Sequence, residues 1–509
     1  MALVFIAVLA VFGWLMISRR LTATLALPLA ALSIAVVALI PAALDLGVLA
    51  ALSTLMNDVV EAGVTRLSTA IMAVILGAVL AALMNVTGAA ERIVRYAAEY
   101  SGEDRFRLGL LLLTVIAVLF TTLGGLGAVI LVATITLPLM LSLGFEPRIA
   151  GGLFLLGLSL GGCLNPMNWA LYKDVLLLDV TQIVPYAVVL AAIFFLVACA
   201  YLLVYVAGRQ GWRGQLWPMA SLVLLAAVLG MVATRLPAVW VVLKHLAAGL
   251  LLIALAILAL LLVWRIVLVL LLPRDRQTGW LSQSDNWLAG ASVLVPLLML
   301  LWSSLHASIV GRDHAVISIG ILTALATGIV FCALGSLTRD GAAANRVMRA
   351  LFEGVTSGGP AVVLLIGIGL LLKATTLPFV ASSFAPWLSR LPVGTPAGFV
   401  LVFFVLSPLA LYRGPLNLYG MGSGIVGIIS GSGVMAAGLI MVAFFAVGML
   451  QGVCDPTNTH NVWIANFCKV PVTDLTRLTV PWVLAIVLLG LLAGAAMYGA
   501  SFGSVPVSI

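Results

Sequence analysis

Charge is what this sequence has least of. Only 8% of its 509 residues are Asp, Glu, Lys or Arg, against 64% hydrophobic. A soluble domain needs a charged surface, and this chain has none to spare, which excludes the soluble classes. Cysteine is scarce as well. Five are present, an odd number, with no C-x-x-C pair, so neither a disulfide framework nor a thiolate metal site is expected. Cys163 and Cys454 lie close to the two polar interruptions described below and read as small buried filler. The chain has no H-E-x-x-H, no paired carboxylates in its apolar runs and no Walker-type loop, which argues against a metal hydrolase and against self-contained ATP-driven transport. The formal net charge of +8 does not point to nucleic acid, because the basic residues are scattered at the ends of apolar runs, where they act as topology signals. No cofactor is expected, and the lipid bilayer is the first partner.

What the chain has in abundance is apolar runs of the ~20 residues that span a bilayer. It reads as an all-α polytopic membrane protein. One of these runs, about 434–468, is interrupted by Gly452-Val-Cys-Asp455-Pro456-Thr457-Asn458-Thr459-His460-Asn461. Proline removes a backbone donor and clashes with the preceding turn, and hydrocarbon cannot solvate Asp, Asn, Thr and His. Broken backbone at membrane depth survives only inside protein or beside a wet cavity. The same punctuation recurs as Gly162-Cys-Leu-Asn165-Pro166-Met-Asn168, so that both stretches read G-x-x-(N/D)-P-x-N with their prolines 290 positions apart. Gly63-Val64-Thr65 pairs with Gly354-Val355-Thr356, Gly125 with Gly414, and the apolar segment after Ser68 with that after Gly359, all at nearly the same offset.

These landmarks indicate an internal duplication. Residues 1–54 form N-terminal scaffold helices. Residues 55–206 form a first repeat, with a hairpin over about 108–143 and a broken helix over 149–178. Residues 207–346 form central scaffold or oligomerisation helices, from which a homodimer is expected. Residues 347–500 form a second repeat, with a hairpin over about 397–433 and a broken helix over 434–468, and 501–509 a tail. The hairpin arms are short for full spans and are read as re-entrant, with two short spans as the alternative and tips at Thr121–Gly127 and Tyr412–Asn417. Full spans are expected at 2–18, 21–42, 69–86, 181–206, 216–233, 238–272, 287–305, 314–334, 360–375 and 480–500. Segment 43–68 is read as an external loop, 87–107 as a cytoplasmic one and 376–396 as a proline-rich connection. With the broken helices this gives about twelve spans and two re-entrant hairpins. Of the 25 basic residues, sixteen fall in segments assigned to the cytoplasm and four in external ones. That bias places both termini outside, makes the repeats inverted, and suits a bacterial cytoplasmic (inner) membrane.

Paired interruptions in two halves of a membrane protein point to a transporter's binding site. Half-helix N-termini near the midplane suit an anion, and unwound carbonyls with Asn or Thr oxygens suit Na⁺. Arg413, at the second tip, has a planar fork suited to a carboxylate; snorkelling, or pairing with Asp455, is the structural alternative. Candidate substrate contacts are Arg413, Gly125, Gly414, Asn417, Asn165, Asn168, Thr457 and Asn458. At the glycines, tight turning is itself a sufficient explanation. Asp455, Asn458 and Thr459 are candidates for coupling, with Asp455 and Asn458 as a possible Na⁺ site; Asp455 could equally carry a proton or balance Arg413. His460 reads first as a hydrogen-bonded structural group, Glu61 and Glu353 as capping or interfacial groups, and Lys173 and Asp174 as a structural pair or interfacial residues.

The inverted repeats, each with a hairpin and a broken helix, resemble the ion transporter superfamily, which includes gluconate permeases, citrate–metal transporters and dicarboxylate–sodium symporters. The opening Ser18-Arg-Arg-Leu-Thr-Ala-Thr-Leu-Ala-Leu-Pro-Leu-Ala-Ala-Leu looks like the start of gluconate-type permeases. Symporters of that superfamily carry Ser-Asn-Thr motifs at their ion sites. Thr457-Asn458-Thr459 is similar, while Pro166-Met167-Asn168 departs from the pattern at the second expected sodium site. The resemblance implies elevator-type transport of a small organic anion with Na⁺ or H⁺. A cation/proton antiporter of the same fold is the alternative, and a non-transporting subunit of a membrane complex a more distant one.

Overall fold

The computed structural model describes residues 1–18, 20–101, 104–207, 237–273, 287–311, 317–337 and 342–502. Among these the chain is helical, without strands. Among the described residues ten helices are long and apolar enough to cross a membrane, the expected hairpin arms Gly125–Ser142 and Pro396–Arg413 among them, and the bent pair Pro147–Cys163 and Pro166–Leu176 makes eleven when counted as one span. The chain is an integral membrane protein of the polytopic type. The expected span 216–233 lies outside the described residues, as do Arg19, Arg209, Arg213, Arg235, Arg274, Arg276, Arg312 and Arg339 of the charge-bias argument. Two further expected spans are shorter than a full crossing: Ala2–Ile17 and Ile321–Gly335.

Three expected loops are corrected. Segment 43–68 is helical: Ala23–Leu46 is followed by Val48–Thr54, a π-helical turn over Leu55–Glu61 and Ala62–Arg66, leading into Ser68–Val86. Its polar residues mislead because Asn57, Asp58 and Glu61 are exposed while Val59 is buried, and no Gly or Pro stands between Val48 and Ala62 to stop a helix. Segment 87–107 contains the helix Ala89–Ser101, which buries Ala89, Ala90, Val94 and Ala97 and exposes Arg95 and Glu99. That spacing is an amphipathic face rather than loop polarity. In the second half, the helix expected at 360–375 runs from Ala342 to Thr375, with Pro360 inside it. The proline-rich connection holds the helix Pro378–Leu388 and a 3₁₀ turn at Pro392–Gly394. Pro378 and Pro392 occupy first helical positions, where the missing N–H costs nothing, and Pro386 is accommodated near the end of its helix.

The helices that open the two halves pack along each other, and the contacts are reciprocal. A Cβ on Gly63 would lie 2.9 Å from the Cα of Leu370, and one on Gly354 would lie 2.5 Å from the Cα of Val79. Gly63 and Gly354 are 291 positions apart, and so are Val79 and Leu370. Each glycine therefore admits, on the other helix, the counterpart of the residue that its own counterpart admits. In both contacts a glycine of one helix meets the backbone of the other, with the two helices running antiparallel.

The same reciprocity recurs at the broken helices. Pro147–Cys163 and Ala437–Cys454 cross close to their breaks: the Cys163 thiol lies 3.4 Å from the Met449 sulfur, and a Cβ on Gly452 would meet the Ser159 hydroxyl at 2.6 Å. Shifted by 290, the Ser159–Gly452 contact becomes a contact between Gly162 and Met449, one residue from the pair observed.

Candidate functional site

The two breaks are built alike. In the first, helix Pro147–Cys163 ends and Pro166–Leu176 begins at a bend of 53°. Asn165 caps the second helix, its Oδ1 accepting from the Met167 amide at 2.9 Å. In the second, the Asp455 Oδ1 accepts from the Thr457 amide at 2.8 Å, and Asn458 caps the helix Thr459–Phe467. The second polar position of each motif reaches back to the preceding half-helix. Asn168 donates to the Gly162 carbonyl at 2.7 Å, and Asn458 to the Gln451 carbonyl at 3.3 Å. The four orphaned donors at a helix N-terminus are thus partly satisfied from within each break.

Each break is also tied to the interhelical turn that precedes it, at Thr121–Gly127 for the first and Tyr412–Asn417 for the second. The Asn165 Nδ2 donates to the carbonyls of Phe120, at 2.8 Å, and Leu123, at 3.1 Å, at the end of helix Arg105–Phe120. The Asp455 Oδ2 accepts from the Arg413 backbone amide at 3.2 Å. This explains why one motif reads Asn and the other Asp. The first tip presents carbonyls, which need a donor, and the second presents an N–H, which needs an acceptor.

The second tip is the more irregular. After Pro396–Leu406 and a 3₁₀ segment, Ser407–Arg413, the backbone takes left-handed φ at Tyr412 (58°) and Arg413 (55°) before helix Gly422–Ser432. Side chains other than glycine rarely adopt that conformation, and where it persists it marks stored local strain, often at sites of function. A Cβ on Gly420 would collide with the Arg413 carbonyl and one on Gly422 would lie 2.5 Å from the Asn417 carbonyl, so the turn can close only over these two glycines.

The Asp455 side chain is wholly buried and accepts three hydrogen bonds, from the amides of Thr457 and Arg413 and from the Thr457 hydroxyl at 2.6 Å. No cationic side chain forms an ion pair with it among the described residues. The structural alternative of an Arg413 guanidinium paired with Asp455 is therefore not made. The guanidinium instead donates to the Tyr419 carbonyl at 3.3 Å. Among the other expected residues, Asn417 is buried, with Oδ1 accepting from the Tyr419 amide at 2.9 Å and Nδ2 without a partner. Gly414 is buried within the turn, whereas Gly125 (φ 81°) and Gly127 face open space at the first tip. Thr459 is exposed and makes no side-chain hydrogen bond that ties it to Asp455. Asp174 is buried and accepts from the Ala70 amide at 2.9 Å, a structural use that does not involve Lys173.

Tyr419 is the residue that sequence reasoning missed. Its hydroxyl donates to the Asn168 Oδ1 at 2.6 Å and so joins the second tip to the first break. The signal is a hydroxyl-bearing aromatic two residues after Asn417, just beyond the tip at Tyr412–Asn417. Met167 stands in the sequence only as a departure from the ion-site motif, and its packing role is not legible there. Its thioether occupies the space that Cβ atoms on Gly77 and Gly124 would need. The matching position in the second break is Thr457, whose hydroxyl serves Asp455. An apolar side chain at the first break and a hydroxyl at the second make the two halves chemically unequal.

No family model matches the chain, and no curated protein matches it. Among the described residues no group of three or more His, Cys, Asp or Glu side chains could hold a metal ion.

Proposed function

We propose that the chain is a secondary active transporter that moves a small carboxylate, of the gluconate, citrate or dicarboxylate type, coupled to Na⁺ or H⁺. The observation that carries this reading is Asp455: a carboxylate with no exposed surface, held by neutral donors and not by a cationic side chain. A buried charge without a counter-charge is costly, and ionisable groups at membrane depth mark ion and substrate pathways. A coupling proton on Asp455, or Na⁺ beside it and the oxygens of Thr457 and Asn458, relieves that cost.

Because the Asp455 carboxylate is met by the Arg413 amide, the guanidinium keeps most of its donors for the carboxylate of a substrate. Asn417, with an unpartnered amide nitrogen, and Asn168, through Tyr419, bring further polar groups to the same place. Met167 in the place of a hydroxyl supports a single ion site, in the second half. The reciprocal glycine contacts support two inverted repeats, and the glycine-lined faces at Gly77, Gly424 and Gly427 suit sliding of the broken-helix unit in an elevator-type cycle. Both termini lie outside in this reading, and the functional unit is a homodimer.

Arg413→Ala tests the anion half of the proposal. In liposome uptake it is expected to raise the apparent KM for the acid by roughly tenfold to a hundredfold, the equivalent of a lost charge-assisted hydrogen bond; unchanged kinetics remove Arg413 from the site. Asp455→Asn tests the ion half. It is expected to abolish gradient-driven accumulation while the protein still folds. If it removes Na⁺/H⁺ exchange in vesicles that never take up any acid, the chain is an antiporter of the same architecture.

A further inference from the structure

A cavity of about 720 Å³ lies away from the breaks, and its walls carry Arg66, Lys373, Thr376, Ser382, Ser430 and Ser432. The volume falls within the range of small-molecule sites. Two cationic side chains and four hydroxyls line it, and no acidic residue does. Asp174 is the acid that acts electrostatically on Arg66, and its Oδ2 is already engaged by the Ala70 amide at 2.9 Å. Arg66 uses one nitrogen, Nη2, on the Val175 carbonyl at 3.3 Å. Its Nε is buried without a partner, and so is the Ser430 hydroxyl. Lys373, in the last turn of Ala342–Thr375, makes no ion pair among the described residues.

The position of the cavity relates it to the breaks. Helices Pro166–Leu176 and Gly422–Ser432 start at the first break and the second tip respectively, and their far ends, at Val175, Leu177 and Ser430 to Ser432, form part of the cavity wall. At 1.5 Å per residue the two places are about 15 Å apart along these helices.

We infer that this cavity is a second anion site, which holds a carboxylate or phosphate group between Arg66 and Lys373 with Ser430 as a hydrogen-bond donor. Excess positive charge in the cavity selects an anion, and the Lys373 ammonium with the guanidinium N–H groups of Arg66 not taken by the Val175 carbonyl supply charge-assisted hydrogen bonds, which the Ser430 hydroxyl joins by turning towards the ligand. The guanidinium is held in place by the Val175 carbonyl, so its fork is pre-oriented. The site stands on its own geometry and does not depend on the transport reading. Its anion comes either from solution or from the headgroup of an anionic lipid.

The test uses the full-length protein, delipidated in a neutral detergent, at constant ionic strength. The thermal unfolding midpoint is followed against citrate, succinate and inorganic phosphate, and phosphatidylglycerol retention is read by native mass spectrometry. A saturable rise in midpoint is expected, with half-saturation weakened about tenfold or more by Lys373→Gln, the size of one lost charged contact, and less by Ser430→Ala. If the dissolved anions give no response but phosphatidylglycerol retention falls in Lys373→Gln, the site holds and its ligand is the lipid headgroup. Identical behaviour of wild type and Lys373→Gln towards all four probes overturns the site. Arg66→Gln also removes the Val175 contact, so the Lys373 variant carries the decision.

Discussion

Asn165→Asp is expected to destabilise the protein by roughly 3–5 kcal/mol, the range for a buried charge left without compensation. The wild-type amide donates to two carbonyls of the first tip, at 2.8 and 3.1 Å. A carboxylate of the same shape would set an anionic oxygen against those same acceptors. Asn165→Ala should cost less, about 1–3 kcal/mol, because it strands the two carbonyls and the Met167 amide without adding a charge. The order Asp worse than Ala is opposite to the usual ranking at a helix cap, where Asp is nearly as good as Asn. The Asp deficit should also shrink as pH falls, since a protonated acid can donate to one carbonyl. Thermal unfolding of the two variants in detergent at neutral and acidic pH checks all three statements. An Asp variant as stable as wild type at neutral pH would mean that hydrogen-bond polarity does not set the Asn/Asp difference between the breaks.

The second large effect is at the reciprocal glycines. Gly354→Ala would place a methyl group 2.5 Å from the Val79 Cα, and Gly63→Ala would place one 2.9 Å from the Leu370 Cα. Both neighbours are backbone, so relief requires the helices to move apart. Each substitution is expected to cost about 3 kcal/mol, the upper end for overpacking. The two costs should be similar, because the contacts are counterparts. Gly359→Ala on the same long helix has open space around it and is the control, expected to be neutral or stabilising by about 0.4–1 kcal/mol. Unfolding midpoints in detergent decide this. A large asymmetry between Gly63 and Gly354, or a control as damaging as either, contradicts the reciprocal packing.

The landmarks legible in the sequence were those where local chemistry forces the backbone. Pro166 and Pro456, each preceded by Asn or Asp, marked where helices end, and the structure places a cap or an Asx-type bond at each. Gly63 and Gly354 were visible as a pair at the duplication offset, although not as the contact that joins the two halves. What could not be read was decided by partners distant in sequence. The bond from Tyr419 to Asn168 joins residues 251 positions apart, and no local pattern reports it. Whether Asp455 would meet the guanidinium or the amide of Arg413 depended on left-handed backbone at Tyr412 and Arg413, which neither residue type favours. The helix from Val48 to Arg66 was missed for a different reason. Its acids were taken as loop polarity, whereas they occupy one exposed face of an uninterrupted helical stretch.

The most direct test of the account is uptake of labelled gluconate, citrate and succinate into liposomes containing the purified protein, with Na⁺ and H⁺ gradients imposed separately. Accumulation of one acid above equilibrium, driven by one gradient and lost in a folded Asp455→Asn variant, is the predicted result. No uptake of any acid under either gradient, with Na⁺/H⁺ exchange measurable in the same vesicles, would contradict carboxylate transport.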